Sequence, residues 1–205
     1  RPEFRPVVCV TGQHREMLDQ VLSAFGITPD FDLNIMEKSQ TLYSVTAKSL
    51  TGHKEVFDKD RPDIVLVHGD TTTTFASALA AFYDKIKVGH VEAGLRSFDK
   101  NSPFPEEINR QLTGRLADIH FAPTVSNKLN LEREGITENV YITGNTVIDA
   151  LKTTVRPDYV FENPVLNTID YANNKVVLMT AHRRENYGQP MENIMSALKR
   201  LALEF

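Results

Sequence analysis

Cysteine is nearly absent from this chain. Cys9 stands alone among 205 residues, which excludes an internal disulfide framework and any multi-cysteine zinc or iron–sulfur site. Its setting, Val7-Val8-Cys9-Val10, reads as a buried strand with a packed, inert thiol. A basic cluster is also missing: 23 Lys and Arg face 27 Asp and Glu, for a formal charge of −4. That balance argues against nucleic acid or an anionic membrane as the main partner. No apolar run approaches the ~18–20 residues needed to span a bilayer, and no signal-peptide pattern opens the chain. The expected compartment is therefore the cytoplasm.

Several phosphate and nucleophile motifs are lacking too. No G-x-G-x-x-G follows any apolar run and no G-x-x-x-x-G-K-[ST] occurs, which disfavours dinucleotide oxidoreductases and P-loop NTPases. No G-x-S-x-G elbow marks a hydrolase nucleophile.

Short apolar runs alternate with segments of helical period. Strands are predicted over 6–10, 63–68, 87–91, 119–123, 140–143 and 175–180. Each is nearly all apolar, as suits strands covered on both faces of a parallel sheet. Helices are predicted over 15–25, 40–58, 72–84, 107–116, 126–134, 146–154 and 191–205. This rhythm implies a doubly wound, Rossmann-like α/β sheet. Residues 156–174, with Pro157, Pro164 and a polar run, break the rhythm and read as a connection between two α/β units.

Ligands of open parallel sheets bind at the carboxyl ends of the strands. Four such ends carry polar residues here: Thr11 to Arg15, His68 to Thr74, His90 to Arg96 and Thr180 to Asn186. Asp70 and its threonines suit a helix N-cap, or equally a helix end approached by a phosphate or sugar hydroxyl. Glu92 ends a buried strand and needs a partner, for which Arg96 is a candidate. The i, i+2 pairs His68/Asp70 and His90/Glu92 each project to one side of a strand and resemble a two-strand metal site. No third dense ligand motif accompanies them, and the H-x-E of His90-Val91-Glu92 lacks the P-C-x-x-C that deaminases require. A metal is not expected. In Pro103-Phe104-Pro105-Glu106-Glu107 the prolines stiffen a loop, and Glu106 and Arg110 fall at i, i+4, the spacing of a surface ion pair. Such a loop can also bring Glu106 over the crevice that holds Asp70 and Glu92. Three carboxylates converging with His182 and several arginines suit proton transfer beside an anionic substrate.

Six segments in order, VTGQHREML (10–18), HGDTTTTF (68–75), HVEAGLRS (90–97), PFPEEINR (103–110), ITGNTVIDA (142–150) and MTAHRRENYG (179–188), together resemble the bacterial non-hydrolysing UDP-N-acetylglucosamine 2-epimerases. The resemblance spans nearly the whole chain. It implies two Rossmann-like domains facing a cleft, the GT-B arrangement, and a homodimer. It implies interconversion of UDP-N-acetylglucosamine and UDP-N-acetylmannosamine for cell-envelope polymers, with neither NAD nor a metal. By similarity Asp70, Glu92, Glu106, Arg110 and His182 are the catalytic candidates. Asp70, Glu92, His182 and Arg183 would touch substrate. Gln13, His14, Gln40, Glu106 and Arg183 fall where regulated relatives line a second, activating UDP-sugar site. Glu16 and Ser39 depart from that pattern, replacing a glutamine and an arginine, which would weaken a diphosphate there.

The expected organisation is an N-terminal Rossmann-like domain over 1–155 without its first strand, a connection over 156–174, and the beginning of a UDP-binding domain over 175–205. On that expectation the 205 residues alone are inactive. Two rival readings keep the fold: a non-catalytic nucleotide-sugar-binding module and a GT-B glycosyltransferase. Three acidic positions favour the epimerase, because reversible proton transfer at carbon 2 of the sugar needs an acid and a base.

Overall fold

The computed structural model describes residues 3–12, 15–181 and 186–204. The chain divides into two compact units, Arg1–Val155 and Arg156–Phe205.

In the first unit strands and helices alternate. They are β1 (Cys9–Val10), α1 (Arg15–Phe25), β2 (Phe31–Asp32), α2 (Leu42–Lys59), β3 (Ile64–His68), α3 (Thr72–Tyr83), β4 (Lys87–Val91), α4 (Glu106–Leu116), β5 (Ile119–Ala122), α5 (Val125–Arg133), β6 (Val140–Ile142) and α6 (Thr146–Thr154). Every ladder is parallel, as the apolar strands imply. The strands form two sheets rather than one: β1 pairs with β2, while β3, β4, β5 and β6 pair in sequence order. Central β4 is the best covered, with Val88, Gly89 and His90 all buried. The expected strand over 6–10 shrinks to Cys9–Val10, and the short β2 was not legible beforehand. A ladder two residues long leaves little periodicity to read.

Both sheets share one core. Val56 and Phe57 of α2, Val67 of β3, Ala78, Ala80 and Ala81 of α3, and Ile86 and Val88 form a buried cluster, against which Cys9, Phe31 and Leu33 pack. The small side chains of α3 let its backbone approach its neighbours closely, which suits dense packing. Cys9 is half-buried rather than buried, and this burial pushes its thiol up to about 11, so little of it is thiolate. Thr41, Thr71, Thr124 and Asn145 each cap the helix that follows them.

Among the described residues of the second unit, α7 (Pro164–Asn167) and α8 (Gln189–Glu204) are the α-helices. Phe161 lies between two rings, 5.4 Å from Tyr159 edge-on and 5.9 Å from Tyr171 in a stack. The strand expected over 175–180 does not form. Among the described residues no strand pairs with its apolar residues, and Leu178 is 90% exposed; hydrophobic sequence alone cannot satisfy a strand's backbone groups. Among the described residues, no helix is long and apolar enough to cross a membrane.

Gly94 is the tightest packing point of the β4–α4 connection. Its φ is +86°, and a Cβ built there would lie 2.2 Å from the Asn127 carbonyl oxygen. Its own carbonyl accepts from the amides of Asn127 and Asn130, at 3.3 and 3.0 Å. Gly94→Ala is therefore expected to lower stability by about 3 kcal/mol, combining left-handed strain with backbone overlap. Denaturant unfolding of the two proteins measures it.

Candidate active site

The site is built where β3 and β4 end. After His68 the chain turns through Gly69, whose φ is +74°. Four bonds pin this turn. Gly69 N–H donates to the Val91 carbonyl at 3.0 Å, and Thr74 Oγ1 donates to the His68 carbonyl at 2.7 Å. His90 Nε2 donates to the Gly69 carbonyl at 2.8 Å, and Asn109 Nδ2 to the Asp70 carbonyl at 3.0 Å. The turn thus presents Asp70 from a rigid backbone. The cap of α3 is Thr71, whose side chain accepts from Thr74 N–H, and not Asp70. The Asp70 carboxylate is therefore free of the cap and faces Arg110 instead.

His90 is fully buried, and burial lowers its pKa to about 4, with neighbouring His120, Arg96 and His68 adding to the effect. It is a neutral strut. The two residues of the metal-like pair His90/Glu92 are engaged separately: His90 turns to the Gly69 carbonyl, while Glu92 adopts a left-handed φ of +67°. Among the described residues no group of three or more His, Cys, Asp and Glu side chains is arranged to hold a metal ion.

Contrary to expectation, Glu92 does not pair with Arg96. The Arg96 side chain is fully buried and forks onto both oxygens of Glu134, at 2.6 and 2.7 Å. Glu92 is met by His68 instead, with Nε2 2.8 Å from Oε2. In the sequence His68 reads only as a candidate metal ligand, and spacing along one strand does not show this contact across the β3–β4 pair. Adjacent parallel strands ending in register, His68 opposite Val91, were the available signal.

The expected i, i+4 pair of Arg110 with Glu106 also gives way. Arg110 is 7% exposed and turns to Glu107, with Nε 3.1 Å from Oε2, and to Asp70, with Nη1 3.7 Å from Oδ2. Its Nε is close to Glu107 but not aligned for a hydrogen bond. Glu107, fully buried, was overlooked in the sequence. Its carboxylate accepts from Ser97 N–H at 3.0 Å, Phe98 N–H at 3.1 Å and the Gln111 amide at 2.8 Å. Burial opposes its ionisation, but these donors and Arg110 outweigh burial and hold its pKa below the ordinary value.

Asp70 has the opposite balance. Partial burial raises its pKa; Arg110 opposes this, and the charges of Glu106 and Glu92 reinforce it. Asp70, Glu92, Glu106 and Arg110 are thus brought together, as the sequence implied. His68 and Glu92 also line a cavity of about 600 Å³ with Asn145, Thr146, Val147 and Ala150. A second cavity of about 360 Å³, between the β2 end and α2, contains none of the expected residues. Gln40 is half-buried just ahead of the α2 cap, Glu16 is exposed in the first turn of α1, and Ser39 is exposed with φ +59°. Gln13, His14, His182 and Arg183 lie outside the described residues.

Carboxylates and a buried arginine gathered at the ends of parallel strands mark a ligand site of the α/β class. The sequence model of the family described as UDP-N-acetylglucosamine 2-epimerase matches residues 1–204, and the chain belongs to that family. It is 58% identical over 205 residues to the UDP-N-acetylglucosamine 2-epimerase of Bacillus subtilis strain 168, covering 100% of this chain and 53% of that protein. The S. aureus MnaA–UDP co-structure matches at 55% identity and TM-score 0.85, over 98% of this chain and 52% of that one. A Neisseria meningitidis UDP-GlcNAc 2-epimerase bound to UDP-GlcNAc matches at 58% identity and TM-score 0.68, over 71% of this chain and 40% of that one. The chain therefore spans about half the length of the curated relatives it matches.

Two stability outcomes follow from the opposed carboxylates. Glu107 stabilises the fold above its ordinary value of 4.5, and that contribution is lost as pH falls through its lower folded value. Glu107→Gln should cost about 3 kcal/mol near neutral pH, as for one partner lost from a buried pair, and the deficit should shrink in acid. Asp70 has the other sign. Its raised pKa makes the ionised form a cost to folding, which grows as pH rises above the ordinary 3.8. Asp70→Asn should melt higher than the parent near neutral pH and match it well below that value. Thermal melts across pH check both.

Proposed function

We propose that the full-length protein carrying this sequence interconverts UDP-N-acetylglucosamine and UDP-N-acetylmannosamine by eliminating and re-adding UDP. In this reading it is a cytoplasmic homodimer supplying cell-envelope polysaccharide synthesis, acting on a nucleotide sugar and not on nucleic acid or a membrane. The observation that carries the reading is the convergence of Glu92, Glu106 and Arg110 on Asp70 at the strand ends.

The chemistry explains why such a group is needed. Carbon 2 is not next to a carbonyl, so its proton is too weakly acidic for simple removal. As the bond from carbon 1 to the UDP oxygen breaks, its electron pair leaves with the diphosphate and carbon 1 becomes electron-poor. A carboxylate can then take the carbon 2 proton, and the C–H electron pair forms the double bond of a glycal. For return, UDP adds back to carbon 1 while a carboxylic acid delivers a proton to the other face of carbon 2. One face needs a base and the other an acid, both near neutrality. Asp70, whose pKa is lifted first by burial and then by Glu106 and Glu92, suits holding that proton. Arg110 supplies positive charge beside it. The family motif assigns His182 and Arg183 to the substrate, and Gln13, His14, Gln40, Glu106 and Arg183 to a second UDP-sugar. Neither a nicotinamide nor a metal enters the scheme, because elimination itself acidifies carbon 2.

Incubation in heavy water without NAD should give UDP-N-acetylmannosamine carrying deuterium at carbon 2, read by mass spectrometry or proton NMR. Product without deuterium overturns the elimination route. Asp70→Asn should lower kcat by roughly 10²–10⁴-fold, the range for a lost acid–base group.

A further inference from the structure

We propose that His68 is the positioning residue for Glu92, holding its carboxylate over the Gly69 turn beside Asp70. The inference rests on the epimerase reading and assigns a role to a residue outside the catalytic set named above. His68 closes β3, and its backbone is fixed by the bond from Thr74 Oγ1 to its carbonyl and by register with Val91. Its Nε2 lies 2.8 Å from Glu92 Oε2. That same oxygen lies 3.8 Å from where a Gly69 Cβ would be, so the carboxylate sits against the turn that carries Asp70.

Glu92 needs this help for a local reason. It stands past the end of β4 with a left-handed backbone, and its expected cation Arg96 is committed to Glu134. Glu92 is 30% exposed in its side chain and His68 56%. So exposed a pair adds little to stability. The two share the wall of the 600 Å³ cavity with Asn145 and Thr146. A contact that contributes little to folding, placed against a reacting carboxylate, has its effect on orientation. A misplacement of about 1 Å at a reacting group can cost on the order of 10²-fold in rate.

The test compares His68→Ala, His68→Asn and His68→Gln in the full-length protein. A glutamine amide reaches about as far as Nε2 and keeps a donor, whereas an asparagine amide stops short. The expected result is a fall in kcat on the order of 10²-fold for Ala and Asn with little change in KM, and recovery to within about 3-fold for Gln. Melting temperatures should stay within about 3 °C of the parent in all three. If Ala does not fold, the Asn–Gln contrast carries the comparison. Unchanged kcat in the Asn variant, or equal losses in Asn and Gln, overturns the positioning role while the epimerase reading stands. A parent protein that exchanges no deuterium into carbon 2 overturns both.

Discussion

Much of the first unit's site depends on one buried carboxylate. Glu107 is sealed from solvent at the start of α4, where it binds two backbone N–H groups of the Ser97–Phe98 segment and lies against Arg110. Leaving that charge unpaired in the interior would be prohibitive, so the loop must come to it. In doing so the loop settles on α4, and Arg110 is held where its other end reaches Asp70. A helix N-terminus also favours negative charge in its first turn, so Glu106 and Glu107 sit well there as a pair. Glu107 secures the scaffold, and the charge of Glu106 acts on Asp70.

The two carboxylates joined by Arg110 differ in their preference for charge. Glu107 is surrounded by donors and prefers its charge, whereas Asp70 is partly buried between two further acids and resists it. A fold selected for stability alone would relieve Asp70. It is instead presented on a turn pinned by His90, Asn109 and Thr74. A carboxylate whose pKa is raised by burial and like charges is common at functional sites.

The helices of the first unit and its longer strands were legible in the sequence because their periods are long and their caps conventional; 15–25 and 146–154 match α1 and α6 end to end. The acidic group was legible because carboxylates at apolar strand ends have few structural uses. Pairing was not. Arg96 and Arg110 each had a plausible near neighbour, four residues away in each case, and each chose another. Arg96 reached Glu134, 38 residues on, and Arg110 chose Glu107 over Glu106 by the direction in which α4 is buried. Such choices depend on which faces are covered, and spacing does not carry that information. The 175–180 segment failed for the same reason, since a strand is defined by its neighbour.

His90 gives the site one further property. A histidine near a catalytic group usually makes geometry and charge vary together as acidity changes. Here the imidazole that ties down the Gly69 carbonyl titrates only near 4, so it keeps one tautomeric task over the whole neutral range. The backbone under Asp70 is thereby held the same way across the neutral range. Acidity can alter which carboxylate holds a proton without altering where Asp70's backbone stands.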